Sequence, residues 1–175
     1  KITDVSRDYA AIAVQGPKSK DILMVMSGGA PLTVENAKNA LNTLKLDGKL
    51  VRIAKTGYTG EPIGYELYCD SADAAYFWNR LVELGAKPAG LGARDTLRME
   101  AALPLYGHEM GECQLGGEIQ AYASPLAKFA VSFNPDKGDF VGREPLLRQF
   151  EALKKILNRD YSSIEDLPYR IQPIC

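Results

Sequence analysis

The chain is poor in the residues that make reactive centres easy to recognise. It has three cysteines, Cys69, Cys113 and Cys175, and a single histidine, His108. The cysteines are odd in number, far apart and without metal-ligand spacing, which points to a reducing compartment. One histidine with no suitable cysteine gives no basis for a zinc site. In Leu105-Tyr106-Gly107-His108-Glu109 it reads as a loop or structural residue before it reads as a general base. A Gly-x-Ser-x-Gly elbow, a phosphate loop and His-Glu-x-x-His are all missing, so hydrolase, nucleotide and metalloprotease readings lack support. No apolar run approaches the roughly 20 residues of a membrane-spanning helix. A formal charge of −1, with both signs interspersed, leaves no electrostatic footprint for nucleic acid or a membrane surface.

What remains is an ordinary globular composition. The 175 residues are 46% hydrophobic and 25% charged, enough for one sizeable domain or two small ones. Tyr9 to Val14 predicts a strand, and Gly16-Pro17 turns the chain. Pro17 suits the first position of a helix whose buried side is Ile22, Leu23, Val25 and Met26, ended by Gly28-Gly29. A second amphipathic helix is predicted from Val34 to Leu44, with Ala37, Ala40, Leu41 and Leu44 on one stripe. Asp47-Gly48 signals a hairpin before a strand from Leu50 to Ala54. In a further strand, Gly64 to Cys69, alternation puts Tyr65, Leu67 and Cys69 on one side and Glu66 with Tyr68 on the other. Asp70 or Ser71 caps a helix with Ala74, Trp78, Leu81 and Val82 as its apolar stripe, and Gly85 stops it.

This order of elements predicts an α+β fold over residues 1–110: an antiparallel sheet with helices, of the ferredoxin-like, split-βαβ kind. Residues 111–160 read as a turn-rich continuation, with a strand at Phe129 to Phe133 and a helix from Gly142 to Leu157. Residues 161–175 form a tail whose structure the pattern does not specify. A start at Lys1 without Met, and an end without a capped helix or charged tail, read as a piece of a longer protein.

Two stretches carry the functional signal. Lys55-Thr56-Gly57-Tyr58-Thr59-Gly60-Glu61 sets two glycines and two hydroxyl residues around a tyrosine, so the backbone can turn tightly and approach a ligand. Tyr58 either faces a pocket or partly covers a tight hairpin. Pro88 to Glu100 is a glycine-rich entry into a helix bearing Arg94 and Arg98 at i, i+4, hence on one face. Like charges at that spacing repel. Asp95 can serve Arg98 at i+3, which leaves Arg94 for a partner farther off, and Glu66 is the nearest attractive candidate. Glu66 is in turn either solvated or a buried acceptor with a specific donor. A pocket with a tyrosine, a carboxylate and an arginine is thus a candidate site, but the residues alone name no reaction.

At these residues the chain resembles the aminomethyltransferase (T-protein) family of the glycine cleavage system. That family has Arg-Thr-Gly-Tyr-Thr-Gly-Glu where this chain has Lys55 to Glu61, then Gly-Phe-Glu where it has Gly64-Tyr65-Glu66, after a one-residue insertion at Pro62-Ile63. The most specific match runs from Pro88 to Glu109, with Met99 and Ala102 as substitutions. Asp4-Val5-Ser6 through Gln15-Gly16-Pro17, and Lys137 to Glu144, also fit, so the likeness extends from about Ile2 to Gln149. The resemblance implies transfer of a methylene group from an aminomethylated lipoyl arm of the H-protein to tetrahydrofolate, with release of ammonia. By position it implies that Tyr58 contacts the folate, Glu66 binds the pterin edge and Arg94 helps hold that end.

The family's aspartate near the folate N5 falls upstream of Lys1 and its C-terminal barrel-like domain is not matched, so the chain alone is expected to be inactive. The implied location is the cytoplasm of a bacterium or the mitochondrial matrix of a eukaryote. A related folate-dependent demethylase or dehydrogenase domain, and a non-catalytic folate-binding or assembly protein of the same superfamily, stand as alternatives. The Leu91 to Glu109 match favours the transferase, and the lack of a Lys-Gly-Cys-Tyr-type motif disfavours the assembly branch.

Overall fold

In the computed structural model, which describes residues 2–32, 40–112 and 116–171, the hairpin at Asp47-Gly48 sets the register of the principal sheet. Both turn residues have positive φ, 48° and 79°, as a two-residue turn matched to the strand twist requires. Its arms are β2 (Leu41–Leu46) and β3 (Lys49–Ala54), paired from Leu46↔Lys49 to Leu41↔Ala54. The other edge of β3 pairs with β4 (Gly64–Asp70), and β1 (Tyr9–Gln15) closes on β4, giving the antiparallel order β1-β4-β3-β2. β1 and β3 therefore run in the same direction with β4 between them. The connection from β1 to β3 passes through α1 (Ser19–Met26) and β2.

One face of this sheet makes the core. Val14, Val51, Ile53, Tyr65, Leu67 and Cys69 project there and meet Leu23 and Met26 of α1 and Phe77 and Leu81 of α2 (Ala74–Glu83). Tyr65, Ile53, Phe77 and Leu23 are fully buried, and each such side chain stabilises by about 1.5–3 kcal/mol relative to exposure. The alternation expected in β4 is therefore observed, with Glu66 and Tyr68 half-buried on the opposite face. Asp70 accepts from the Ala72 N–H at 2.9 Å and caps the turn into α2. α3 (Leu91–Glu100) completes this first unit, Lys1–Ala101.

The second unit, Ala102–Cys175, holds a two-stranded ribbon of β5 (Gly111–Glu112) and β6 (Glu118–Ile119), the short α4 (Ala127–Ala130) and α5 (Arg143–Leu157). Tyr122, Ala123, Ala127, Ala152, Ile156 and Leu167 form its core, and the Tyr122 and Phe133 rings each lie 5.4 Å from that of Phe150. Leu167 is fully buried and the Ile171 N–H donates to the Ala123 carbonyl at 2.9 Å, so the tail is packed as far as Ile171. Among the described residues no helix is long and apolar enough to cross a membrane.

Four local expectations need correction. Of the helix predicted from Val34 to Leu44, residues 34–39 lie outside the described residues, and Leu41 to Leu44 belong to β2. The tight turn extends pairing backwards along both arms, so the Leu44/Leu46 alternation prevails over the Leu41/Leu44 spacing. Phe129 to Phe133 is not a strand: α4 takes its start, Phe129 is 78% exposed, and no described strand pairs with the remainder. In α2 the buried side is Phe77 with Leu81, while Trp78 and Val82 face solvent. In α1, Val25 is likewise exposed, and the helix begins at Ser19, two residues after Pro17.

Candidate functional site

The glycine loop between β3 and β4 is held by a residue outside it. Gln15, the last residue of β1, lies opposite Gly64 in the sheet register. Its Nε2 donates to the carbonyls of Thr56 at 3.2 Å and Tyr65 at 3.1 Å, and its Oε1 accepts from the Thr59 hydroxyl at 3.3 Å. A β-carbon on Gly57 or Gly64 would lie 1.9 or 2.1 Å from that same Oε1. Both glycines are therefore spaces filled by the Gln15 carboxamide, and Gly57 needs no unusual φ to be a glycine. Sequence reasoning singled out the glycines and missed what occupies them. The signal was present: a polar residue ends an otherwise apolar and small strand, just before Gly16-Pro17.

The far side of the loop meets the end of α3. Gly60, at φ +81°, faces the Ala101 methyl. An open cleft of about 450 Å³ lies here, lined by Gln15, Gly16, Thr59, Gly60, Glu61, Leu97, Glu100 and Ala101. The two sequence motifs thus come together, through Thr59 to Glu61 on one side and Leu97 to Ala101 on the other. Arg98 is buried and takes Asp95 as its ion-pair partner, with Nε donating to Oδ1 at 2.7 Å, as the i, i+3 spacing predicts.

Tyr58 lies in this loop, Glu66 on β4 and Arg94 on α3, and none of the three is among the residues lining the cleft. Tyr58 is half-buried in the loop. Glu66, on the outward face of β4, accepts from the Tyr68 hydroxyl at 3.3 Å through Oε2. Burial, and then the Glu66 carboxylate beside it, push the Tyr68 phenol above its usual range. Arg94 is exposed on α3, and no ion pair joins it to Glu66 among the described residues. Glu66 instead takes the phenol of Tyr68 as its donor. Its sequence position offers the reason: Tyr68 is two residues from Glu66 on the same strand face.

This is chemistry for recognition. A half-buried carboxylate accepts hydrogen bonds, a loop-mounted ring offers a flat contact and an exposed guanidinium offers donors. His108 is exposed in the second unit, and among the described residues no group of three or more His, Cys, Asp and Glu is placed to hold a metal ion.

Most of the chain also matches known proteins. Residues 1–119 match the GCVT N-terminal domain. An aminomethyltransferase of Bacillus mycoides is 43% identical over 155 residues, which cover 86% of this chain and 40% of that protein. Aminomethyltransferases of Saccharopolyspora erythraea and Caldanaerobacter subterraneus are 44% and 41% identical, over 82% and 90% of this chain. The chain spans about two fifths of the length of these curated relatives, 37–41%.

Proposed function

The chain belongs to the GCVT N-terminal domain family, and on that premise we propose that it carries the folate-reading residues of a glycine-cleavage aminomethyltransferase. The observation that supports this most is Glu66. It is a half-buried carboxylate on the outward sheet face, oriented by Tyr68 through one oxygen. A pterin's amino-amide edge presents parallel N–H donors, and a carboxylate held in one orientation accepts them with charge-assisted strength.

Tetrahydrofolate, when bound, supplies the nitrogen that accepts the one-carbon unit. The work of this chain is to hold and orient it. Glu66 fixes the pterin edge, Tyr58 lays its ring against the ligand from the glycine loop, and Arg94 helps hold that end. Such positioning lowers the entropic part of a transfer barrier. The donor is the aminomethylated lipoyl arm of an H-protein, and ammonia is the second product.

Calorimetric titration of tetrahydrofolate under reducing conditions, into the chain and into Glu66→Ala, tests this reading. Loss of one side of a buried charged contact costs about 2–5 kcal/mol, so the variant should bind undetectably where the parent binds. Binding that survives the substitution unchanged would overturn the role given to Glu66.

A further inference from the structure

We propose that Gln15 is the positioning residue of the glycine loop: its carboxamide sets the path of Thr56 to Thr59 and so fixes where Tyr58 stands relative to Glu66. The inference rests on the folate reading of those two residues, and extends it to a side chain outside the three assigned to the ligand.

The geometry is specific to a carboxamide. The two Nε2 hydrogens go to two different segments, the Thr56 carbonyl in the loop and the Tyr65 carbonyl in β4. Tyr65 is fully buried and immediately precedes Glu66, so one end of this link is anchored in the core beside the pterin-reading carboxylate. The other end holds the loop on both sides of Tyr58, through the Thr56 carbonyl before it and the Thr59 hydroxyl after it. Gly57 and Gly64 have no side chains where the carboxamide lies, so the same contact sets the spacing of loop and strand. A carboxylate of the same size would face the Thr56 and Tyr65 carbonyls with no hydrogens to offer, whereas its protonated form regains one donor.

That difference gives the test. Gln15→Glu and the near-isosteric Gln15→Met are compared with the parent full chain by tetrahydrofolate titration from about pH 8 down to about pH 5, a window chosen to approach the ordinary glutamate pKa of about 4.3. Amide hydrogen exchange without ligand is followed on the same proteins. Gln15→Glu should bind roughly tenfold or more weakly at the upper pH, as expected for the loss of two part-buried hydrogen bonds. Its deficit relative to the parent should shrink as the pH falls, while that of Gln15→Met stays constant. In both variants at the upper pH, loop amides from Thr56 to Gly60 should exchange faster while those of Leu67 and Tyr68 keep their protection. Gln15→Met with parental affinity and parental loop exchange would overturn the proposal. If the parent itself binds no tetrahydrofolate, the folate reading fails. Loop exchange then decides the positioning role alone: faster exchange in Gln15→Met upholds it and unchanged exchange refutes it.

Discussion

The methyl group of Ala101 occupies the space that a side chain on Gly60 would need: a β-carbon built on Gly60 lies 2.2 Å from Ala101 Cβ. The glycine loop and the end of α3 therefore meet at a point where neither can take an extra carbon without moving. Gly60 also sits at φ +81°, which costs an L-residue roughly 1–2 kcal/mol on its own. Gly60→Ala should add an overpacking cost of about 1–3 kcal/mol to that backbone strain. Gly85 is the control, since it has φ +98° and nothing within 4 Å of its β-position. Urea denaturation of both variants separates the two costs, and equal losses of stability would show that the Gly60–Ala101 contact yields freely.

The buried side of α2 gives the second prediction. Phe77 is fully buried against the sheet and Trp78, its neighbour, is 46% exposed. Phe77→Ala should cost about 3–5 kcal/mol, as aromatic deletions from cores do. Trp78→Ala should cost well under half as much, because most of the cavity term is absent. The reverse order in denaturant midpoints would mean that the helix is rotated from the orientation described.

How much was legible in the sequence follows from which interactions are local. The β4 alternation was readable because Tyr65, Leu67 and Cys69 repeat with the period of the pleat and all face one core. Asp95 with Arg98 was readable because both lie on one helix at i, i+3. The stripe of Ala74, Trp78, Leu81 and Val82 is off-centre because helical spacing defines an apolar sector without fixing its centre: Trp78 and Phe77 differ by a single 100° step, and the sheet selects between them. Gln15 was missed because its partners are 41 to 50 residues away. No periodicity carries that information. Of the site, the loop and the helix were found as motifs, whereas the side chain that organises the loop needed the fold.

The two arginines of α3 should behave differently. Arg98 is 2% exposed and bonded to Asp95, whose side chain is 40% exposed. Asp95→Ala removes a hydrogen-bonded partner from a buried cation, at a cost of about 1–2 kcal/mol once the partial exposure of Asp95 is allowed for. Arg94 is exposed, so Arg94→Ala should leave stability within roughly 0.5 kcal/mol of the parent while weakening tetrahydrofolate binding. Thermal melts and titrations on both variants check this. Stability lost at Arg94 and unaffected at Asp95 would contradict the assignment of one arginine to structure and the other to ligand.

The last prediction concerns alkaline pH. Cys69 is buried in the core, and burial, helped by the negative charges of Asp73 and Asp70, pushes its thiol above the usual range. Tyr68 is pushed up in the same direction by burial and by Glu66, and Tyr122 in the second unit by burial alone. In each case the folded chain holds the proton more tightly than the unfolded chain. Between the two pKa values the folded state binds more protons, so stability falls as pH rises. The contribution is complete below the unfolded values, about 8.5 for cysteine and about 10 for tyrosine, and is lost as the pH climbs through the folded ones. Urea midpoints should therefore be insensitive to these groups near pH 7 and decline above about pH 8.5. Cys69→Ala should lose the earliest part of that decline and Tyr68→Phe a later part. A midpoint that rises between pH 8 and pH 10, or a decline that Cys69→Ala and Tyr68→Phe together leave untouched, would show that the groups responsible lie elsewhere.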